Sequence, residues 1–393
     1  MNQLLLQKTE QIKDEVIAIR RHLHQHPELS FQEVETSKFI QEKLKSWGIK
    51  FQNNIVGTGI VAVIDSKKNP DKCIALRADM DALPIQELNE VDYKSRNAGI
   101  MHACGHDVHT SILLATAKIL NELKEDLPNT VKLIFQPGEE KLPGGAKLMI
   151  EAGVLENPKV EQIFALHVFP ELEVGKVGLK SGMYMASCDE LYFTINGKGG
   201  HAAMPALNID PIVIASKLIL ALQQIPNDLC PKEIPCVLAI GRIEGLGATN
   251  VIPDKVELQG TFRTMNELWR TTAHKLVHQF AKKIAEESKG EIVVRIENGY
   301  PYLENNPVLT EQTRTILKEM LGTENVIDLP TRMTGEDFSF FAQKIPATFI
   351  RLGVRNEAKG IVHGVHNARF NIDDDALAIG VRTLLSICFN STK

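Results

Sequence analysis

Apolar residues recur at Ile12, Val16, Ile19 and Leu23 within positions 7–26, a spacing that puts them on one face of a helix, and Pro27 ends the run. Positions 34–46 repeat the spacing, and Gly48 closes it. The pattern then shortens to β-branched runs at 60–64 and 73–76, each followed by charges or turn residues, which predict strands. Beyond them the chain reads as a helix over 110–123, a strand over 131–135, a helix over 145–152 stopped by Gly153, and a strand over 163–168. Strands alternating with helices predict an α/β fold whose sheet is parallel or mixed, with helices on both faces.

From about position 187 the order changes to strand (190–196), helix (210–225), strand (236–243), strand (254–264), helix (266–288) and strand (291–297). This β-α-β-β-α-β order is that of a ferredoxin-like module, complete in itself. The segments on either side, the later one with a strand over 347–352 and a helix over 375–389, must then pair with each other. The expected organisation is one domain in two parts, 1–186 and 299–393, with a second domain inserted over 187–298. No internal repeat is visible.

Composition narrows the function classes. At 393 residues the chain exceeds the ceiling of about 250–300 for one hydrophobic core, in keeping with two domains. Lys plus Arg number 44 against 49 Asp plus Glu, so the net charge is −5, and with no basic tract nucleic acid is not the expected partner. No apolar stretch approaches the roughly 18 residues of a membrane span. Leu4-Leu5-Leu6 is followed at once by Lys8, Glu10 and Lys13, too short a run for a signal-peptide core, so the expected location is cytoplasmic. Six scattered cysteines without a CxxC pair read as free thiols.

One of them has different company. Met101-His-Ala-Cys-Gly-His-Asp-Val-His109 holds His102, Cys104, His106, Asp107 and His109 just ahead of an amphipathic helix. A thiolate and an imidazole two positions apart suit a divalent metal, while a histidine-rich helix cap explains the same letters. Strand 131–135 runs into Gln136-Pro-Gly-Glu-Glu140, where adjacent carboxylates can diverge, one to a metal and one to a water, or simply solvate a turn. His167 ends an apolar strand and His366 lies near the end of the chain, each also compatible with an ordinary core or edge histidine. Asp79 and Asp81 follow a buried-looking strand with period 2, so both point to one side, as ligand, orienting group or turn cap. The ends of separate strands are where open α/β sheets place their sites.

Other signals carry less. Gly57-Thr-Gly leads into a strand and not a helix, so no helix N-terminus is available for a phosphate. His274 and His278 lack the glutamate of a metalloprotease helix and are expected to face solvent; His22, His24 and His26 are expected only to finish a helix. There is no GxSxG.

Over nearly its whole length the chain resembles the dinuclear metallopeptidase family of aminoacylases, hippurate hydrolase, auxin-conjugate amidohydrolases and related carboxypeptidases. The blocks that carry the resemblance are Arg20-Arg-His-Leu-His-Gln-His-Pro-Glu-Leu29, Leu76-Arg-Ala-Asp-Met-Asp-Ala-Leu-Pro84, Met101-His-Ala-Cys-Gly-His-Asp107, Phe135-Gln-Pro-Gly-Glu-Glu140, Gly197-Lys-Gly-Gly-His201, Thr249-Asn-Val-Ile-Pro-Asp254, Gly260-Thr-Phe-Arg263 and Gly335-Glu-Asp-Phe338. The resemblance implies a zinc-peptidase-like catalytic domain with a mixed sheet and an inserted ferredoxin-like lid and dimerisation domain. It implies that Cys104, His106, Glu140, His167 and His366 hold two divalent metals, Zn2+ or Mn2+. Glu139 becomes the general base and Asp81 the carboxylate that orients a ligand. His201 on the inserted domain would reach the reacting carbonyl, with Asn250 and Arg263 binding the substrate carboxylate, a task that suits the two-pronged donors of Arg. The usual alanine of the Gln-Pro-Ala-Glu-Glu block is Gly138 here.

The expected activity is a metal-dependent amidohydrolase that splits small N-acyl-L-amino acids into a carboxylic acid and a free amino acid, with a homodimer formed through the inserted domain. A carboxypeptidase or dipeptidase of the same family is the nearest alternative. More distant ones are a thiol hydrolase with Cys104 as nucleophile and His106 or His109 as base, which needs no metal, and a non-catalytic binder.

Overall fold

The computed structural model describes residues 1–390; residues 391–393, the end of the expected 299–393 segment, lie outside the described residues. The chain forms two compact units, one of Met1–Gly182, Glu304–Pro330 and the residues from Asp337 on, the other of Met183–Leu303 and Thr331–Glu336. The second unit is therefore a few residues longer at each end than the 187–298 read from the pattern. It also takes in the 331–336 segment, which carries no periodicity of its own.

The first unit is built on an eight-stranded mixed sheet in the order Phe51–Ile55, Gly59–Ile64, Thr130–Gln136, Cys73–Asp79, Val160–Glu173, Ala347–Arg355, Val177–Leu179 and Val326–Asp328. Four neighbouring strands, from Thr130–Gln136 to Ala347–Arg355, run parallel. Every residue of Cys73–Asp79 and Thr130–Gln136 is buried, as strands covered on both faces require. Val131, Leu133 and Phe135 enter the main core with Phe164, Leu166, Ile350 and Leu352, whereas Ile134, Ala165 and Phe349 point to the other side. Helix His106–Glu122 lies on the main-core face, packed against Lys13–Gln25 and Asp375–Asn390.

That helix starts four residues before the expected 110, because Gly105 caps it in the left-handed region at φ +83° and a Cβ there would lie 2.6 Å from Val168 Cγ2. Glycine at 105 thus serves both the turn and the close approach of loop to strand. Elsewhere strands run longer than their apolar runs, the expected 163–168 being Val160–Glu173. Helix Pro307–Leu321, not anticipated above, is capped by the Asn306 side chain on Leu309 N.

The second unit is a four-stranded antiparallel sheet, Cys236–Glu244, Lys255–Thr264, Asp189–Asn196, Glu291–Asn298 in spatial order, with helices Pro211–Leu222 and Glu267–Ser288. Alternation decides which face the helices cover. Leu191, Phe193 and Ile195 pack with Val256, Leu258, Ile214, Leu218, Val277 and Ala281, while Glu190, Tyr192 and Thr194 take the other face. Asp210 caps the first helix through Ile212 N and Val213 N, and Asn266 the second through Trp269 N. His274, expected in solvent, is half-buried with its Nε2 2.7 Å from Asp189 Oδ2, and Arg270 pairs with the same carboxylate.

Candidate metal centre

Parallel strands bring their C-terminal ends to one edge of a sheet, and there the first unit gathers its polar residues. Asp79 closes one strand, Gln136 the next, and the Pro137–Glu140 turn follows directly. Cys104 stands in the loop that enters helix His106–Glu122, so the helix presents His106 in its first turn. His167 lies within strand Val160–Glu173, opposite Arg351 in register. His366 arrives from a C-terminal loop, held at φ +62° with its N–H donated to Ala103 O at 2.7 Å.

These segments place six side chains together. Donor atoms of Cys104, His106 and His167 lie within 4.8 Å of one another, as do those of Cys104, Glu140 and His366, and those of His106, Glu139 and Glu140. Cys104 is common to the first two sets. Cys104 Sγ is 3.4 Å from His167 Nε2, and His366 Nε2 is 3.3 Å from Glu140 Oε1. The tautomers follow from the outer partners: His167 donates Nδ1–H to Val168 O at 2.7 Å, leaving the Nε2 lone pair facing the thiol. His106 turns Nδ1 to Asp81 Oδ1 at 3.1 Å. His106 Nε2 and Glu140 Oε1 are buried with no hydrogen-bond partner among the described residues, and both point into this cluster. Buried polar atoms without a hydrogen bond are costly, and the carboxylates gathered here call for positive charge, which a metal ion would supply.

Electrostatics agree with that demand. Burial would lower the His106 pKa, but the carboxylates of Asp79, Asp81 and Glu140 overcome it and push it up to about 10. Burial, then the Glu140 and Glu139 carboxylates, hold the Cys104 thiol well above its ordinary range. Burial and the neighbouring carboxylates disfavour a thiolate at this position in the protein alone, which argues against a metal-free thiol nucleophile. The donor set, with sulfur, imidazole and carboxylate arranged around shared space, fits divalent metal ions.

Around these candidate ligands lie fixed hydrogen-bond partners. Asp81 Oδ2 accepts from Ser30 Oγ at 2.6 Å and from Glu140 N at 2.9 Å, so one carboxylate orients both His106 and the Glu140 turn. His109 is occupied on both nitrogens, accepting Val168 N–H on Nε2 at 2.9 Å and donating Nδ1–H to Asp79 at 2.6 Å, which removes it from the ligands. Asp79 meets Arg77 Nη1 at 2.6 Å; Arg77 also donates to Asp337 Oδ1 at 2.6 Å and Gln136 Oε1 at 2.8 Å. Asp337 N in turn donates to Glu139 Oε1 at 3.4 Å. Arg77 and Asp337 lie within the resemblance blocks with no role of their own; a charge two residues before Asp79 inside an apolar strand is the signal that points to Arg77, and none points to Asp337.

His24 is buried and not a simple helix end: its Nδ1 is 2.7 Å from Asp107 Oδ2 and its Nε2 3.2 Å from Glu87 Oε1, while Arg20 Nε donates to Asp107 at 2.9 Å. His22, in the last turn of the same helix, is exposed.

His201, Asn250 and Arg263 belong to the second unit. His201 is exposed on a two-residue strand that pairs with Val251–Ile252, so it and Asn250 are neighbours, with Ala202 N donating to Asn250 O at 3.0 Å. Arg263, on strand Lys255–Thr264, donates from Nη1 to Met333 O at 3.1 Å.

Residues 75–390 match Peptidase family M20/M25/M40. The chain belongs to that family. Among M20/M25/M40 relatives, it is 38% identical over 390 residues to "IAA-amino acid hydrolase ILR1-like 5" of Arabidopsis thaliana, covering 98% of this chain and 88% of that one. "Thermostable carboxypeptidase 2" of Saccharolobus solfataricus is 37% identical over 386 residues, 97% of each chain. A solved Bacillus subtilis structure, the YXEP protein, described as a dinuclear metal binding peptidase from the M20 family, superposes with a TM-score of 0.84 at 33% identity, covering 98% of this chain and 99% of that one. The family is a group of metal-dependent hydrolases and peptidases, and the mixed-sheet α/β fold with its inserted antiparallel unit is the fold of these M20 structures.

Proposed function

We propose that this protein hydrolyses the amide bond of small N-acyl-L-amino acids, using two divalent metal ions held by Cys104, His106, Glu140, His167 and His366. The observation that carries the reading is the buried His106 Nε2 and Glu140 Oε1, neither of them hydrogen-bonded among the described residues, beside a thiol and two further imidazoles, with a second carboxylate, Glu139, adjacent in the chain. Bound there, the metals supply Lewis acidity toward a carbonyl oxygen and a water molecule. Sulfur and imidazole suit Zn2+, and the carboxylate suits Mn2+ equally well.

The chain's own residues supply the rest. Glu139 takes a proton from the attacking water and returns it to the leaving nitrogen, so that amide plus water becomes carboxylic acid plus amine. Asp81 holds the His106 ring by its Nδ1. His201 donates to the developing oxyanion, and Asn250 and Arg263 recognise the free α-carboxylate of the amino acid.

A carboxypeptidase or dipeptidase activity is the second reading, favoured by the similarity to a carboxypeptidase. Both readings use the same metals and base and differ in whether the acyl group is itself an aminoacyl group. We further propose a homodimer through the inserted unit, whose edge strand Cys236–Glu244 exposes Val237 and Ile243.

The test is release of free amino acid from a panel of N-acetyl, N-benzoyl and indole-acetyl amino acids and dipeptides, with metal content measured in parallel. Glu139→Gln should keep the metals and lower kcat by at least about 100-fold, as expected for a lost general base. Near-normal turnover by that variant, or by chelated protein, would exclude the mechanism.

A further inference from the structure

The turn that carries Glu139 and Glu140 is shaped from outside itself. Glu33, fully buried between the first helices and the sheet, accepts Gly138 N at 2.9 Å and Phe31 N at 2.8 Å on one carboxylate oxygen, and Thr58 Oγ1 at 2.7 Å on the other. Gly138 O accepts Gly145 N at 2.9 Å, so both polar groups of this peptide are fixed. Gly138 lies in the left-handed region at φ +60°, and so does Phe31 at φ +65°, a backbone state that a bulky side chain rarely adopts. The two conformations fit each other, for a Cβ on Gly138 would stand 2.4 Å from Phe31 Cζ, with two more ring atoms within 2.7 Å. The aromatic ring therefore fills the volume that a Cβ at position 138 would occupy. One residue earlier than Phe31, Ser30 holds Asp81 Oδ2, the oxygen that also accepts from Glu140 N.

We propose that Glu33 and Phe31 are positioning residues that template the Gly138-Glu139-Glu140 turn, so that Gly138 is required by the Phe31 ring as well as by its own backbone angle. The proposal rests on the roles given to Glu139 and Glu140 above. Neither Glu33 nor Phe31 touches substrate; each acts by fixing where the base and the ligand carboxylate point.

The decisive experiment is a cycle of Gly138→Ala, Phe31→Ala and the double variant. Gly138→Ala should lower kcat about 10- to 100-fold with KM within about threefold, since misplacing catalytic groups by about 1 Å costs that much. Adding Phe31→Ala should restore part of the loss, the remainder being the cost of an alanine at φ +60°. Additive losses, or an undiminished Gly138→Ala enzyme, would overturn the template. Glu33→Gln keeps an acceptor for both N–H groups and should stay within a few fold of the parent, whereas Glu33→Ala should lose kcat with its metal content unchanged; equal behaviour of the two would count against Glu33.

Should Glu33→Ala fail to fold, the Gly138 cycle decides alone. Should the parent protein cleave none of the amide panel, the visible absorption of the Co2+-loaded protein replaces kcat. Gly138→Ala should shift that spectrum through Glu140 and the double variant should return it, whatever the substrate. A spectrum unmoved by Gly138→Ala would overturn the proposal independently of the hydrolase reading.

Discussion

Asp81 illustrates how one side chain sets a site. Its two oxygens serve three partners, His106, Ser30 and the Glu140 backbone, and burial, which would raise its pKa, is outweighed by the hydrogen bond and charge of His106. Asp81→Ala should therefore weaken metal binding by about 10- to 100-fold, the usual effect of removing a ligand's orienting partner. Competition with a chelator of known affinity measures it, and an unchanged affinity would remove Asp81 from that role. Residues of this kind were partly legible. Cys104 and His106 stand two apart in a histidine-rich loop, whereas Glu33 and Arg77 act on residues 105 and 260 positions away, and no short-range pattern marks such partners.

Among elements, the parallel strands owe their alignment to more than apolar packing. Arg77 donates to Asp79, Gln136 and Asp337 within a strand that is buried throughout. Arg77→Met leaves two buried carboxylates without that cation and should cost about 3–5 kcal/mol in urea unfolding. Lys282→Met, on the exposed face of helix Glu267–Ser288 beside Glu286, should cost less than about 0.5 kcal/mol. Similar costs at the two positions would mean that the buried network is not what orders the strands. Periodicity located these strands and helices but not their ends. Helix His106–Glu122 begins early because Gly105 and Val168 meet across the fold, a contact invisible in the local sequence.

For the whole molecule, ligands that bind only the folded chain raise its stability by mass action. A metal at about 100 times its dissociation constant adds about 2.7 kcal/mol, so chelation should lower the unfolding temperature and Cys104→Ala should abolish that difference. Differential scanning calorimetry with and without Zn2+ or Mn2+ tests this; a Cys104→Ala protein that still gains the full shift would place the metal elsewhere. Acid acts on the second unit through Asp189. Burial opposes its ionisation, but hydrogen bonds from Arg270 and His274 overcome this and hold its pKa below the ordinary 3.8. A carboxyl lowered in the folded state stabilises above its unfolded value, and that contribution disappears as the pH falls through the folded value. Unfolding measured from pH 7 downward should therefore show Asp189→Asn less stable than the parent at neutral pH and less sensitive to acid below about 4; parallel curves would refute the assignment.

The amino-acid order by itself determined the α/β pattern, the β-α-β-β-α-β insertion and the residue types that gather at the strand ends, because period, caps and short-range spacing are local properties. It also carried the M20/M25/M40 likeness block by block. Only the tertiary structure decided that His109 is occupied on both nitrogens while His106 Nε2 and Glu140 Oε1 are left facing the cluster, and that a phenylalanine from one end of the chain fills the space above Gly138. Those outcomes depend on contacts between segments far apart in sequence, where distance and angle, not residue type, fix which atom is paired and which is left for a cation.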